Sequence, residues 1–185
     1  MKAPHLDSDQ VCVGAALMVP SPLGERLLQV RRDCGDPQAE AFPPHITVIP
    51  PALIARAALP DVLKRIEAAT ASCERFTVRL RGAGTFRPVS PVVFARLAEG
   101  FEACQAFETQ VRSAVGPLEP RFPYHPHVTV AQDAPDTELD QAEHAIGDLD
   151  ARFEAAVLDV CLLRPDAVWQ PLRRFALAPP GTSGA

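Results

Sequence analysis

Lysine is almost absent from this chain: among 18 basic residues only Lys2 and Lys64 are lysines. Against 23 acids the formal net charge is −5, which denies a long duplex nucleic acid any overall attraction while leaving a short nucleotide or an RNA end within reach. The five cysteines, Cys12, Cys34, Cys73, Cys104 and Cys161, never form a Cys-x-x-Cys pair. That excludes a zinc ribbon or a disulfide framework and points to reduced thiols in a cytoplasm. No apolar run is long enough to span a membrane, and the first nine residues carry acids where a secretory leader would carry its apolar stretch. Neither secretion nor a membrane partner is expected.

What is present is ordinary globular material. Apolar residues are 47% and charged residues 22% of a 185-residue chain, enough for one good core and cramped for two. The expectation is a single bilobal domain over 1–178, a monomer, with lobes of roughly 1–85 and 86–178 and strand exchange between them left open. A flexible tail at 179–185 has nothing to bury.

The pattern predicts a buried strand over Val11–Val19, then a helix capped by Ser21 with Pro22 at its first position and Gly35 as its stop. His45–Ile49 is β-branched and lies between Pro43-Pro44 and Pro50-Pro51, which predicts a short strand with sharp ends. A helix over Ile54–Ala71, its true start near Pro60, and an alternating strand over Arg75–Arg81 follow, the latter broken by Gly82-Ala83-Gly84. The second half repeats this plan: a strand over Val92–Leu97, a helix over Phe101–Val115 stopped by Gly116-Pro117, a strand at His127–Val130, a helix over Thr137–Phe153, and strands over Ala156–Leu163 and Val168–Leu177. The fold class is α+β, a pseudo-two-fold arrangement of two antiparallel sheets facing a central cleft with helices outside.

Each half thus contains one His-x-Thr strand. Residues i and i+2 of a strand share a face, so His45 stands with Thr47 and His127 with Thr129, while Ile46, Val48, Val128 and Val130 point the other way into a core. Two such strands facing each other surround one volume with two imidazoles and two hydroxyls. In-line displacement at phosphorus needs a base beside the attacking oxygen and an acid beside the departing one. Imidazole titrates near neutrality and can fill either role, and the threonines can donate to the nonbridging oxygens. No metal or other cofactor is called for.

Pro44-His45-Ile46-Thr47-Val48 and His125-Pro126-His127-Val128-Thr129-Val130 resemble the paired His-x-Thr-x motifs of the 2H phosphoesterase superfamily, in particular its 2′-5′ RNA ligase-like branch. The resemblance runs over roughly Val11 to Leu177, taking in the strand ending at Pro20, Arg31-Arg32 and Gly82-Ala83-Gly84-Thr85-Phe86. It implies metal-independent cleavage, or its reversal, of a 2′,3′-cyclic ribose phosphate or a 2′,5′ linkage in a small nucleotide or RNA end. It further implies catalysis by His45 and His127 and phosphate binding by Thr47 and Thr129. Many relatives carry an Arg where this chain has Gln132, which leaves that phosphate contact open.

Other assignments compete. His45, His125 and His127 with a carboxylate such as Asp133 could serve a metal-dependent hydrolase, although Pro126 favours a role for His125 in orienting its loop. An idle nucleotide- or RNA-end-binding module is a third possibility. Tyr124, with Phe122 and Phe42, is a candidate for stacking on a base. His5 and His144 are expected in solvent, and Arg31-Arg32 and Arg173-Arg174 read as ordinary surface pairs.

Overall fold

The computed structural model describes residues 7–116, 118, 122–164 and 168–181. His5, Pro117 and 182–185 of the tail lie outside the described residues. The elements are β1 (Gln10–Met18), α1 (Leu23–Asp33), β2 (His45–Ala55), α2 (Leu59–Ala71), β3 (Phe76–Thr85), β4 (Val92–Glu99), α3 (Phe101–Val115), β5 (His127–Gln132), α4 (Asp136–Ala145), β6 (Asp150–Ala155), β7 (Val157–Leu163) and β8 (Trp169–Ala176). A 3-10 turn at Arg56–Ala58 leads into α2.

The strands bond in the order β6-β3-β4-β5-β2-β1-β7-β8, antiparallel throughout. The α+β class expected from the pattern is present. One continuous eight-stranded sheet holds two antiparallel halves of four strands each, and their join is the single pair Ile46–Val128 between β2 and β5. One half, β2-β1-β7-β8, carries His45. The other, β6-β3-β4-β5, carries His127.

One face of the sheet is apolar and packs against the helices, α1 and α4 behind β3, β4 and β5, α2 and α3 behind β2 and β8. Val13, Ile46, Leu80, Val128 and Leu158 from the strands, with Leu27, Ile66, Val111 and Leu139 from the helices, are fully buried there. At about 25 cal/mol per Å² of apolar surface removed from water, such side chains contribute roughly 1.5–3 kcal/mol each against the entropy of ordering the chain. The opposite face is left for the cleft.

Several local expectations are corrected. Pro50 and Pro51 do not end β2, which continues to Ala55; the pairing with β1 shifts register between Val13–Ala52 and Ala15–Ile49, and a bulge is a place where prolines lacking N–H cost no ladder bond. The helix whose true start was set near Pro60 begins at Leu59, and Ile54 and Ala55 belong to β2. Gly82-Ala83-Gly84 likewise lies within β3, with an irregular pairing to β4 between Leu80 and Ala83, and Gly82 adopts φ +62°. The helix expected over Thr137–Phe153 stops at Ala145, and Phe153 pairs with Val78 in the sheet. Ser21 does not cap α1. Its hydroxyl bonds the Glu25 carboxylate at 2.7 Å, and Pro22 holds the cap position.

Candidate active site

β2 and β5 each begin at their histidine, and each histidine follows a buried proline, Pro44 or Pro126. A residue before proline is driven to extended backbone. Here that turns the carbonyl of the residue two before the histidine onto its ring: His45 Nδ1 lies 2.7 Å from the Pro43 oxygen, and His127 Nδ1 lies 2.7 Å from the His125 oxygen. An oxygen only accepts, so Nδ1–H donates and the neutral ring keeps its lone pair on Nε2. The two halves build the same device twice.

Along both strands exposure alternates as the side-chain period requires: His45 and Thr47, His127 and Thr129 are partly accessible, whereas Ile46, Val48, Val128 and Val130 are buried. The four accessible side chains line one cavity of about 630 Å³. Around the Ile46–Val128 pair the antiparallel sense brings each histidine toward the threonine of the opposite strand, and the absence of further described β2–β5 pairs lets the strands splay into a cleft. Phe42 stands edge-on to His45 at 4.5 Å, and Phe86 and Phe94 flank His127 at 4.9 and 5.2 Å.

Burial pushes His45 from 6.5 down to about 4; the Pro43 carbonyl opposes this, and the charges of Arg31 and His127 reinforce it. Burial also holds His127 below its ordinary value, against the pull of the His125 carbonyl. Both rings are therefore neutral near pH 7 in the free protein, and an anion bound between them would recruit a proton to one of them.

Arg31 corrects the expectation of a surface pair. It is 3% exposed, and its guanidinium donates to Asp36 Oδ2 at 2.9 Å, the Phe42 carbonyl at 3.0 Å and the Gln38 carbonyl at 2.9 Å. It thereby ties down the loop that delivers Phe42 to His45, and it lines the cavity. The signal was present: Leu23, Leu27 and Arg31 are four apart on the inward stripe of α1. Trp169 was also not singled out. It lies at the cavity edge on β8, 5.8 Å from Phe42, with its ring over Gly14 of β1. Its being the single tryptophan gave no positional clue.

Tyr124 is packed against the core, and its hydroxyl donates to the Thr47 carbonyl at 2.9 Å, so it braces the first motif strand from outside the cavity lining. Gln132 does line the cavity. The His125 ring sits among Phe86, Phe94 and Phe101. Asp133 accepts a bond from Gln38 at 3.2 Å. Among the described residues, no three His, Cys, Asp or Glu side chains converge as ligands for one ion, so the donor set of the metal-dependent alternative is not assembled.

The model of the 2′-5′ RNA ligase superfamily matches residues 19–169. A Halalkalibacterium halodurans protein that bears the name phosphoesterase is 28% identical over 126 residues, 68% of this chain and 72% of its own. The crystal structure of E. coli LigT in apo form superposes with a TM-score of 0.70 at 18% identity, covering 92% of this chain and 99% of that one. LigT complexed with 3′-AMP superposes at 0.68, also at 18% identity, covering 91% and 98%. At that identity the likeness to LigT is one of fold.

Proposed function

The chain belongs to the 2′-5′ RNA ligase superfamily, and from that membership together with its cleft we propose that it is a metal-independent phosphodiesterase acting on 2′,3′-cyclic ribose phosphates or 2′,5′ linkages. The observation that carries the proposal is the shared cavity: two imidazoles from opposite halves, each with Nδ1 engaged by a carbonyl and Nε2 free, each with a threonine two residues on.

For a cyclic substrate, water attacks phosphorus, the bond from phosphorus to one ribose oxygen breaks, and one proton must leave the water while another reaches the departing oxygen. His45, the more strongly depressed ring, is neutral and suits the base. His127 suits the acid, taking its proton as the phosphate binds. Thr47 and Thr129 donate to the nonbridging oxygens, where charge accumulates. Each proton transfer is worth roughly 10²- to 10⁴-fold, or about 3–5 kcal/mol of barrier. That a solved LigT complex holds 3′-AMP supports a small nucleotide as the class of ligand.

The test is turnover of the four 2′,3′-cyclic mononucleotides and a 2′,5′-linked dinucleotide in excess EDTA. Activity is expected to persist, and His45→Ala and His127→Ala are each expected to lose about three decades in kcat. Turnover retained in both variants would overturn the proposal; binding without product would leave a binding module in its place.

A further inference from the structure

The cleft face of the β6-β3-β4-β5 half continues beyond His127. Residues paired across antiparallel strands share a face, and Arg96 on β4 is the register partner of His127. Its side chain runs away from β5 toward β3. A Cβ at Gly84 would stand 3.0 Å from Arg96 Cγ, and one at Gly82 would stand 3.3 Å from the guanidinium. The glycines that were expected to break β3 instead clear a lane for this arginine.

The lane opens into a second cavity of about 660 Å³, lined by Arg81, Arg96, Asp148, Asp150 and the Gly147–Leu149 turn. Its two acids are already engaged. Asp150 accepts two bonds from Arg79, and Asp148 pairs with Arg26 at 3.6 Å. Nearby, Glu99 pairs with Arg152 and Glu154 with Arg75. Arg81 contributes to the field that holds Asp150 low, yet among the described residues neither Arg81 nor Arg96 forms an ion pair of its own. In a chain of net charge −5, two exposed guanidinium groups left over on the cleft face are a local bias toward anions. β3 lies two strand spacings, roughly 10 Å, from β5.

We propose that this cavity holds a second phosphate of the substrate, so that the preferred substrate is an oligoribonucleotide whose reactive end sits at His45 and His127 while a phosphate further along the strand sits between Arg81 and Arg96. The inference rests on the phosphodiesterase assignment of the first cavity and names the substrate class for it. The planar forks of two arginines match phosphate oxygens, and neither side chain contributes to the apolar core.

The experiment compares adenosine 2′,3′-cyclic phosphate with an adenylate trimer ending in the same cyclic phosphate, for the wild-type chain, Arg81→Gln, Arg96→Gln and the double variant. The trimer is expected to show a kcat/KM at least tenfold higher at low salt. The double variant should lose that advantage while the mononucleotide stays within about twofold, and the slope of log kcat/KM on log salt should shrink by about 0.7 for each contact removed. Equal kcat/KM for the two substrates in the wild type, or equal losses on both in the variants, overturns the second site and leaves the first intact. If neither substrate is cleaved, the assignment of the first cavity fails. The second is then judged by anisotropy of a fluorescein-labelled trimer with a 3′-phosphate, which the double variant must bind at least tenfold more weakly; unchanged binding overturns it.

Discussion

His45 and Arg31 carry consequences for stability that can be measured without knowing the substrate. His45 has a folded value near 4 against about 6.5 in an unfolded chain. Between those values the unfolded state binds more protons, so stability falls as pH drops from about 6.5 toward 4. His45→Gln is expected to flatten that decline, which urea midpoints at pH 7 and 5 would reveal; an unchanged decline would mean the ring is not held neutral. Because His127 is also depressed, kcat/KM, which reports the free enzyme, should peak on the acid side of 6.5, and kcat should peak at higher pH because bound phosphate favours the imidazolium. Arg31 is the second case. Removing one partner of a buried ion pair strands the other, at a cost of about 3–5 kcal/mol. Arg31→Met and Asp36→Asn should each approach that loss in urea unfolding, and the double variant should cost clearly less than their sum. At this scale the sequence was most informative about the motifs, because strand periodicity alone sets His45 with Thr47 and His127 with Thr129. Helical periodicity also set Arg31 on the inward stripe of α1, but its partners, in a loop with no periodicity, left no trace.

At the scale of elements, the strands and helices whose apolar period was clean stand where the pattern set them, Phe101–Val115 among them. The errors share a cause. Proline and glycine were taken as breakers, yet Pro50-Pro51 and Gly82–Gly84 sit inside strands at register shifts, where a sheet tolerates a missing donor or uses the missing side chain. Phe153 was drawn into a helix because a short apolar run cannot report which partner strand it will meet. Gly14 shows what such a glycine does. It lies on β1, and a Cβ there would come within 2.7 Å of the Trp169 ring and 3.4 Å of the Ile49 carbonyl oxygen. Gly14→Ala must displace the ring from the cavity edge, at a cost of about 1–3 kcal/mol for overpacking. Trp169 is the single tryptophan, so its emission reports the move directly. The expected result is a red-shifted spectrum with KM raised more than kcat is lowered; an unchanged spectrum would show that the strands absorb the methyl group.

The whole molecule is organised across the sequence rather than along it. The half that carries His45 takes β7 and β8 from the far end of the chain to flank β1, while β3, from the first half of the sequence, pairs with β4 and β6. α1, which joins β1 to β2, packs behind β5 of the opposite half. The internal repeat suggested a division near residue 85 with strand exchange left open, and hydrogen-bond partners at long sequence separation leave no periodic trace that could have said which strands cross. A physical consequence follows for the isolated segment 1–85. It would contain β1 without β7, β3 without either neighbour, and Leu27, Val78 and Leu80, all buried in the whole chain, facing water. The open strand edges have no ladder to complete them, and the lost apolar burial removes the main term that offsets chain entropy. That segment is expected to give a largely disordered far-UV circular dichroism spectrum with no cooperative thermal transition, whereas the full chain should melt in one transition seen identically by circular dichroism and by Trp169 fluorescence. A sharp, independent melt of 1–85 would mean that each histidine-bearing half is a folding unit in its own right and that the cleft is a junction between units rather than a feature of one cooperative sheet.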